Sequence, residues 1–499
     1  MMSRKFLRRA LALFLPILMT VTVTACGFGR SAGNSGGDGE DGLGGVEKPA
    51  GSSIDTSGSF AEAHDAFTTT LSEEKNDSYP IPDPPEGVFD LVTYPSKVGD
   101  LAAYVSSDPG DGEKHPMIIW VVGGWGNGID DFPWIYPEWD NDQTGSAFWQ
   151  AGVLTMYPSF RGGCGNPGYY ETLFGEVDDI VSAYEYAASL PYVDPERIYL
   201  GGHSTGGTRA LLASEYTDKF RAVFCFGAVD KIRYHNNSQF TFDKSNQDEY
   251  VMRSPIYWLD NIKSPTFLIE GRDGNSKNLE RMEEASRNDN LHCYVVEDAD
   301  HFSVLAPVTR VVAEKILADT GDEVSIVITQ EELAAAMEQD PSIPMPVMTE
   351  RYVEELGMTF SCPYVWDIGL SEDGSSLEVY SGYDGANAWD MAALYITLYD
   401  AEGGDTQRML KENMEEQGYA VEEISIQGNP AVDASSMVQT DNGDLYYQRY
   451  MSVEHGEECV VFNFIVYEDY MEEADVLFQD IIDSIAFDDG MTADAEAGE

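Results

Sequence analysis

The pentapeptide Gly202-His203-Ser204-Thr205-Gly206 sets one serine between small residues, just after the apolar run Ile198-Tyr199-Leu200 and just before a helix-forming stretch. Glycines on both sides let a chain turn sharply from strand into helix and hold a hydroxyl out at the apex on strained backbone angles. Such a hydroxyl attacks a carbonyl carbon only after a base takes its proton, so the chain must also supply an oriented imidazole. In a chain with 47 glycines the pattern G-x-S-x-G is weak by itself. The strand leading in and the helix leading out are what give it meaning.

Four of the seven histidines follow Ser204: His235, His292, His301 and His455. His235 lies in a polar loop, His292 opens a strand, and His455 belongs to the C-terminal region. His301, in "EDADHFSVLAP", follows the final strand of an alternating strand and helix region and precedes its final helix, where a base can reach over the nucleophile. Asp273, in the loop just past "TFLIEG", is the expected orienting acid, one helix and one strand before His301. Asp230, after "FCFGAV", and Glu270, at the strand end, are rivals, because any buried carboxylate beside the ring can orient it. Asp300 reads as a solvated loop charge. After "IIWVV" comes Gly123-Gly124-Trp125-Gly126, a glycine turn whose backbone, with the N–H of Thr205, offers oxyanion donors, each typically worth ~3 kcal/mol of barrier. No His/Asp/Glu group shows metal-ligand spacing, so neither a metal nor a cofactor is expected.

These residues need a scaffold that brings them to one edge. From about Val88 to Thr320 short apolar runs ("MIIWVV", "GVLTMYP", "RIYLGG", "AVFCFG", "TFLIEG", "LHCYVVED") alternate with helical patterns at Gly175–Leu190, Gly206–Glu215, Leu279–Asn288 and Val308–Leu317. Continuous apolar strands separated by helices predict an α/β fold with a mainly parallel, doubly wound sheet covered on both faces. Loops at the carboxyl ends of such strands are where ligands bind. After "DPSIPMP" the style changes to strands in succession, with helices at Thr406–Gln417 and Met471–Ile485, which predicts a smaller α+β domain over 345–488. Residues 489–499 read as a disordered tail, and no fixed repeat is present.

The chain carries 88 acidic against 29 basic residues, a formal net charge of −59. Such a surface repels nucleic acid and anionic lipid, so no nucleic-acid partner is expected, and the acidity reads as solubility or adaptation to salt. The first residues are the exception. Arg4, Lys5, Arg8 and Arg9 precede the apolar run Ala10–Val23, which Pro16 interrupts and which is short for a membrane span, as in a secretory signal over 1–25. It ends in "VTAC", which resembles a bacterial lipobox and implies acylation of Cys26 and a membrane-anchored, extracytoplasmic protein. A Gly/Ser-rich stretch follows, and residues 26–85 are expected to be a flexible tether with one helical stretch at Phe60–Leu71. The other five cysteines, without close spacing, indicate no disulfide framework and no zinc pattern; Cys225, Cys293 and Cys459 read as core residues.

The run "PSFRGGCGNPGYYETLFGEVDDIVSAYEYAASLPYVDPERIYLGGHSTGGTRALLAS", with "DADHFSVLAP" further on, resembles the catalytic domain of prolyl oligopeptidase-type serine hydrolases of the α/β-hydrolase superfamily. The resemblance covers residues 86–320 and implies Ser204 as nucleophile, His301 as general base and acid, Asp273 as orienting acid, and an oxyanion hole from Thr205 and the Gly124-Trp125 turn. There is no upstream room for the β-propeller that restricts substrates in prolyl oligopeptidases. The implied activity is hydrolysis of an ester or peptide bond; the alternative is a binding lipoprotein whose hydrolase-like fold performs no chemistry. The C-terminal domain resembles PsbP-like domains, which implies docking to a partner the sequence does not identify.

Overall fold

In the computed structural model the described residues are 46–134, 141–234, 237–338, 346–353, 356–371, 376–381, 392–400, 405–439 and 445–487. They form two compact units, divided between residues 342 and 343. The expected signal peptide, Cys26, His235 and the tail 489–499 lie outside the described residues.

The first unit is built on eight strands: β1 (Phe89–Ser96), β2 (Gly99–Ser106), β3 (His115–Val121), β4 (Leu154–Pro158), β5 (Val193–His203), β6 (Val223–Phe226), β7 (Thr266–Gly271) and β8 (Leu291–Val296). They form one sheet in the order β1-β2-β4-β3-β5-β6-β7-β8. The β1–β2 and β2–β4 pairs are antiparallel and all later neighbours are parallel. The helices are α1 (Phe60–Ala66), α2 (Ser146–Gln150), α3 (Gly175–Ser189), α4 (Thr205–Tyr216), α5 (Gln247–Val251), α6 (Ser276–Ala285), α7 (Leu305–Ala318) and α8 (Gln330–Met337).

The strands read as unbroken apolar runs because both faces are covered. Met117, Ile119, Leu200, Val223 and Leu268 join one core with Val177, Ile180, Ala183 and Ala187 of α3, with Ala210 to Ala213 of α4, and with Leu279 and Met282 of α6. Their neighbours Ile118, Trp120, Tyr199, Phe224 and Phe267 are equally buried but alternate to the opposite face. Helix α3 forms where apolar residues recur at helical spacing, and Glu176 and Asp178 sit in its first turn, where the helix dipole favours negative charge.

Residues 46–85 do not form a free tether where they are described. Phe60 is fully buried against Trp258, and the Ser52 and Ser53 hydroxyls donate to Asp248 at 2.6 and 2.7 Å. Leu71 bridges to Phe242, and Thr69 and Thr70 donate to Glu249. Composition made this stretch look unable to bury a core, but one aromatic anchor and a row of short polar side chains suffice to dock it on a finished one. The unit also runs past Thr320, since Ile326, Ile328 and Leu333 are buried before and within α8.

The second unit has strands β9 (Met348–Val353), β10 (Met358–Pro363), β11 (Trp366–Leu370), β12 (Leu377–Ser381), β13 (Ala393–Asp400), β14 (Ala420–Ile426), β15 (Asn429–Gln439), β16 (Leu445–His455), β17 (Glu458–Tyr467) and β18 (Ala486–Phe487), with helices α9 (Asp405–Gln417) and α10 (Met471–Ser484). Seven strands form an antiparallel sheet in the order β11-β12-β13-β17-β16-β15-β14, and β18-β10-β9 form a small second sheet. The five cysteines among the described residues are free thiols, and Cys225, Cys362 and Cys459 are buried.

Candidate active site

Five elements deliver the site to one edge of the first sheet. In register, Val121 at the end of β3 pairs with Gly202, His203 with Phe226 at the end of β6, and Gly271 with Val296 at the ends of β7 and β8. The loops leaving these strand ends carry the glycine turn, Ser204, Gly227, Glu270 and His301.

Ser204 is the single residue between β5 and α4, with φ +57° and ψ −118°. L-residues avoid that region, so it persists only where the surroundings force it. One cause is steric: a Cβ on Gly206 would stand 2.0 Å from the Val121 carbonyl oxygen, so only glycine lets the helix start this close to β3. Ser204 N–H donates to Phe226 O at 2.8 Å, which fixes the elbow against β6. The first bond of α4 runs from Thr208 N–H to Ser204 O, leaving the N–H of Thr205 without an intrahelical acceptor. The Thr205 hydroxyl donates to Gly124 O, joining the helix start to the glycine turn.

His301 stands in the loop between β8 and α7. Its Nδ1 lies 2.8 Å from Oε2 of Glu270, the second-last residue of β7 and fully buried. The other carboxylate oxygen accepts the Gly271 N–H at 2.8 Å. With Nδ1–H donated to the carboxylate, the Nε2 lone pair is left to act as a base. Gly227, at φ +64°, is the floor under the ring: a Cβ there would lie 2.3 Å from His301 Cε1 and 2.9 Å from Glu270 Oε2. Because Gly227 directly follows Phe226, the same two residues carry the nucleophile's anchor and the base's seat.

The expectation for the acid is corrected. Asp273 is exposed in the turn after β7, and only its backbone N–H, donating to Ala299 O at 3.0 Å, reaches the histidine loop. The strand ends at Gly271, and the Gly271–Gly274 turn carries the Asp273 side chain outward, whereas glutamate's extra methylene lets residue 270 reach the ring from the strand itself. Asp230 is buried but spent on Arg281 Nε at 2.6 Å. Asp300 accepts the N–H groups of Phe302 and Ser303 at 2.8 and 2.9 Å and so shapes the turn before α7. His292 lies in β8, and His455 belongs to β16 of the second unit.

Two supports were not legible in sequence. His203, buried beside the elbow, places Nε2 3.0 Å from the His301 carbonyl oxygen, and burial, with the His301 charge second, depresses its pKa to about 3. It is therefore a neutral donor tying the elbow to the histidine loop. Asn127 braces the glycine turn. Its Nδ2 donates to Arg161 O and Glu176 Oε1, its Oδ1 accepts from Arg209 Nη2 of α4, all at 2.9 Å, and its N–H donates to the Tyr170 hydroxyl at 3.1 Å. At the mouth, Phe302 is 39% exposed with its ring 5.1 Å from that of His301.

Residues 139–311, which include Ser204, Glu270 and His301, match the prolyl oligopeptidase family. The match covers about a third of the chain, and the unit that carries it has the α/β-hydrolase fold. The family match supports a hydrolase of the serine peptidase or esterase kind. No curated protein sequence matches the chain. Similar solved structures include a puromycin-hydrolysing peptidase of Mycobacterium tuberculosis, at 20% identity and TM-score 0.40, covering 48% of this chain and 40% of that one. A Pyrobaculum calidifontis esterase matches at 14% identity and TM-score 0.37, covering 47% of this chain and 86% of that one. A Pyrococcus horikoshii acylaminoacyl peptidase matches at 16% and 0.37, covering 49% and 44%. The chain thus spans under half the length of both peptidases. Among the described residues no helix is long and apolar enough to cross a membrane.

Proposed function

We propose that the unit carrying the prolyl oligopeptidase family match cleaves ester or amide bonds of small esters or peptides through an acyl-enzyme on Ser204. The observation that carries this reading is the Ser204 elbow at φ +57° beside a His301–Glu270 pair at 2.8 Å, both seated on Phe226-Gly227. In this mechanism His301 Nε2 takes the Ser204 proton as Oγ attacks the carbonyl carbon, and Glu270 stabilises the imidazolium that forms. The N–H groups of Thr205 and the Gly124-Trp125 turn receive the developing oxyanion. The imidazolium then gives its proton to the leaving group, and water, deprotonated by the same nitrogen, releases the acyl group and restores the serine.

The reading includes a location. Basic residues before the apolar run and the "VTAC" ending support a lipid anchor on Cys26 at the extracytoplasmic face of a bacterial cell membrane. Acyl labelling that survives Cys26→Ser would count against it.

The catalytic assignment is tested with a fluorophosphonate probe, which reacts with activated serines. The wild-type protein should label covalently and Ser204→Ala should not. Equal labelling of both would overturn the assignment.

A further inference from the structure

The groups around His64, on α1, are unused by the hydrolytic residues. The ring is stacked on Phe174 at 4.2 Å and is 3% exposed. Its Nε2 lies 3.2 Å from the Phe174 carbonyl oxygen, which can only accept, so in this contact Nε2 carries the proton and Nδ1 the lone pair. Nδ1 is buried and makes no hydrogen bond. It faces two carboxylates, Asp65 Oδ1 and Asp178 Oδ1, each 4.0 Å away. One ligand atom from each of the three residues lies within 4.8 Å of the other two.

A lone pair aimed at two carboxylates is repulsive unless a cation stands among them. The pocket already draws one, since the Lys97 ammonium, on a side chain 59% exposed, lies 2.8 Å from Asp178 and 3.9 Å from Asp65. A histidine that donates its far N–H to a backbone carbonyl while its near nitrogen meets carboxylates has the arrangement of a metal ligand with its outer-shell support. We propose that His64, Asp65 and Asp178 form a binding site for one divalent transition-metal cation of the zinc type, which displaces Lys97. Ligands on one tetrahedral zinc ion stand about 3.4 Å apart, given metal bonds of about 2.0–2.1 Å, so closure needs only a small inward swing. Asp65, 57% exposed, makes it by turning its carboxylate, whose Oδ1 accepts the Tyr216 hydroxyl at 2.9 Å. Water completes the shell. The bound ion staples α1, part of the docked N-terminal segment, to the first turn of α3. Sequence spacing gave no sign of this site because two ligands are adjacent in the chain and the third lies on another helix.

The test is calorimetric titration of zinc into the full-length, chelator-stripped protein in excess magnesium, which masks weak carboxylate sites. One zinc per chain is expected. Lys97→Met should bind about fivefold more tightly, the equivalent of removing a competing surface ion pair of about 1 kcal/mol. Asp178→Asn and His64→Gln should lose the site, and zinc should raise the thermal midpoint of the wild-type protein but not of Asp178→Asn. Failure of both the wild-type protein and Lys97→Met to bind a single zinc would refute the site. So would wild-type binding by Asp65→Asn, whose side chain is 57% exposed and spares the fold if His64→Gln or Asp178→Asn disturbs it.

Discussion

Glu270 Oε2 and His301 Nδ1 meet at 2.8 Å, one from the end of β7 and the other from the loop after β8, with the carboxylate fully buried and the ring partly open to solvent. Three residues further on, Asp273 is exposed to solvent. The identity of the orienting acid is therefore a question of where a strand stops.

Mutation of each carboxylate should separate the two candidates. In Glu270→Gln the amide no longer compensates the imidazolium and favours the wrong ring tautomer, so kcat should fall by about 10³–10⁴-fold at neutral pH. Asp273→Asn should leave kcat close to wild type. Ester hydrolysis under saturating substrate measures both, and the reverse pattern would return the role to Asp273.

Asn127 is expected to act through the glycine turn rather than on substrate. Asn127→Ala removes the bonds to Arg161, Glu176 and Arg209 and loosens the backbone that offers an oxyanion donor. Loss of one such donor costs about 10²–10³-fold in kcat. The expected signature is a kcat loss of that size with KM little changed, read well below the unfolding temperature. Lower stability with unchanged kcat would mean that Asn127 merely braces the fold.

Glu215, near the end of α4, is buried with neither carboxylate oxygen hydrogen-bonded, and burial raises its pKa well above the usual range. The folded state then holds a proton that the unfolded chain releases above its ordinary pKa near 4.5. The stability linked to this proton is complete below that pH and is lost as pH rises through the folded value, at about 1.4 kcal/mol per pH unit. Glu215→Gln does not titrate. Its urea midpoint should exceed that of the wild-type protein at pH 7, and the gap should shrink as pH falls towards 4.5; parallel pH profiles for the two proteins would contradict a buried neutral acid.

Local signals carried far in this chain. Apolar runs at Met117, Arg197, Ala222 and Thr266, each followed by helical spacing, were enough to expect a parallel sheet, because a strand covered on both faces cannot alternate in polarity. The Ser204 elbow was legible for a similar reason, since strand, glycine-flanked serine and helix follow one another in the chain, although the backbone of β3 and β6 is what demands Gly206 and Gly207. The antiparallel β1–β2 hairpin and helix α8, which opens on a capping box at Thr329 and Glu332, lie outside that pattern.

What the sequence by itself determined was therefore the kind of fold, the nucleophile turn and the position of His301 after the last strand, all set by short-range periodicity and turn chemistry. Tertiary structure alone decided that Glu270 and not Asp273 meets the ring, that Asn127 braces the glycine turn, and that residues 46–85 dock rather than trail. Each of these depends on contacts between segments far apart in the chain, or on the direction a side chain takes at a strand end. Composition and spacing carry neither.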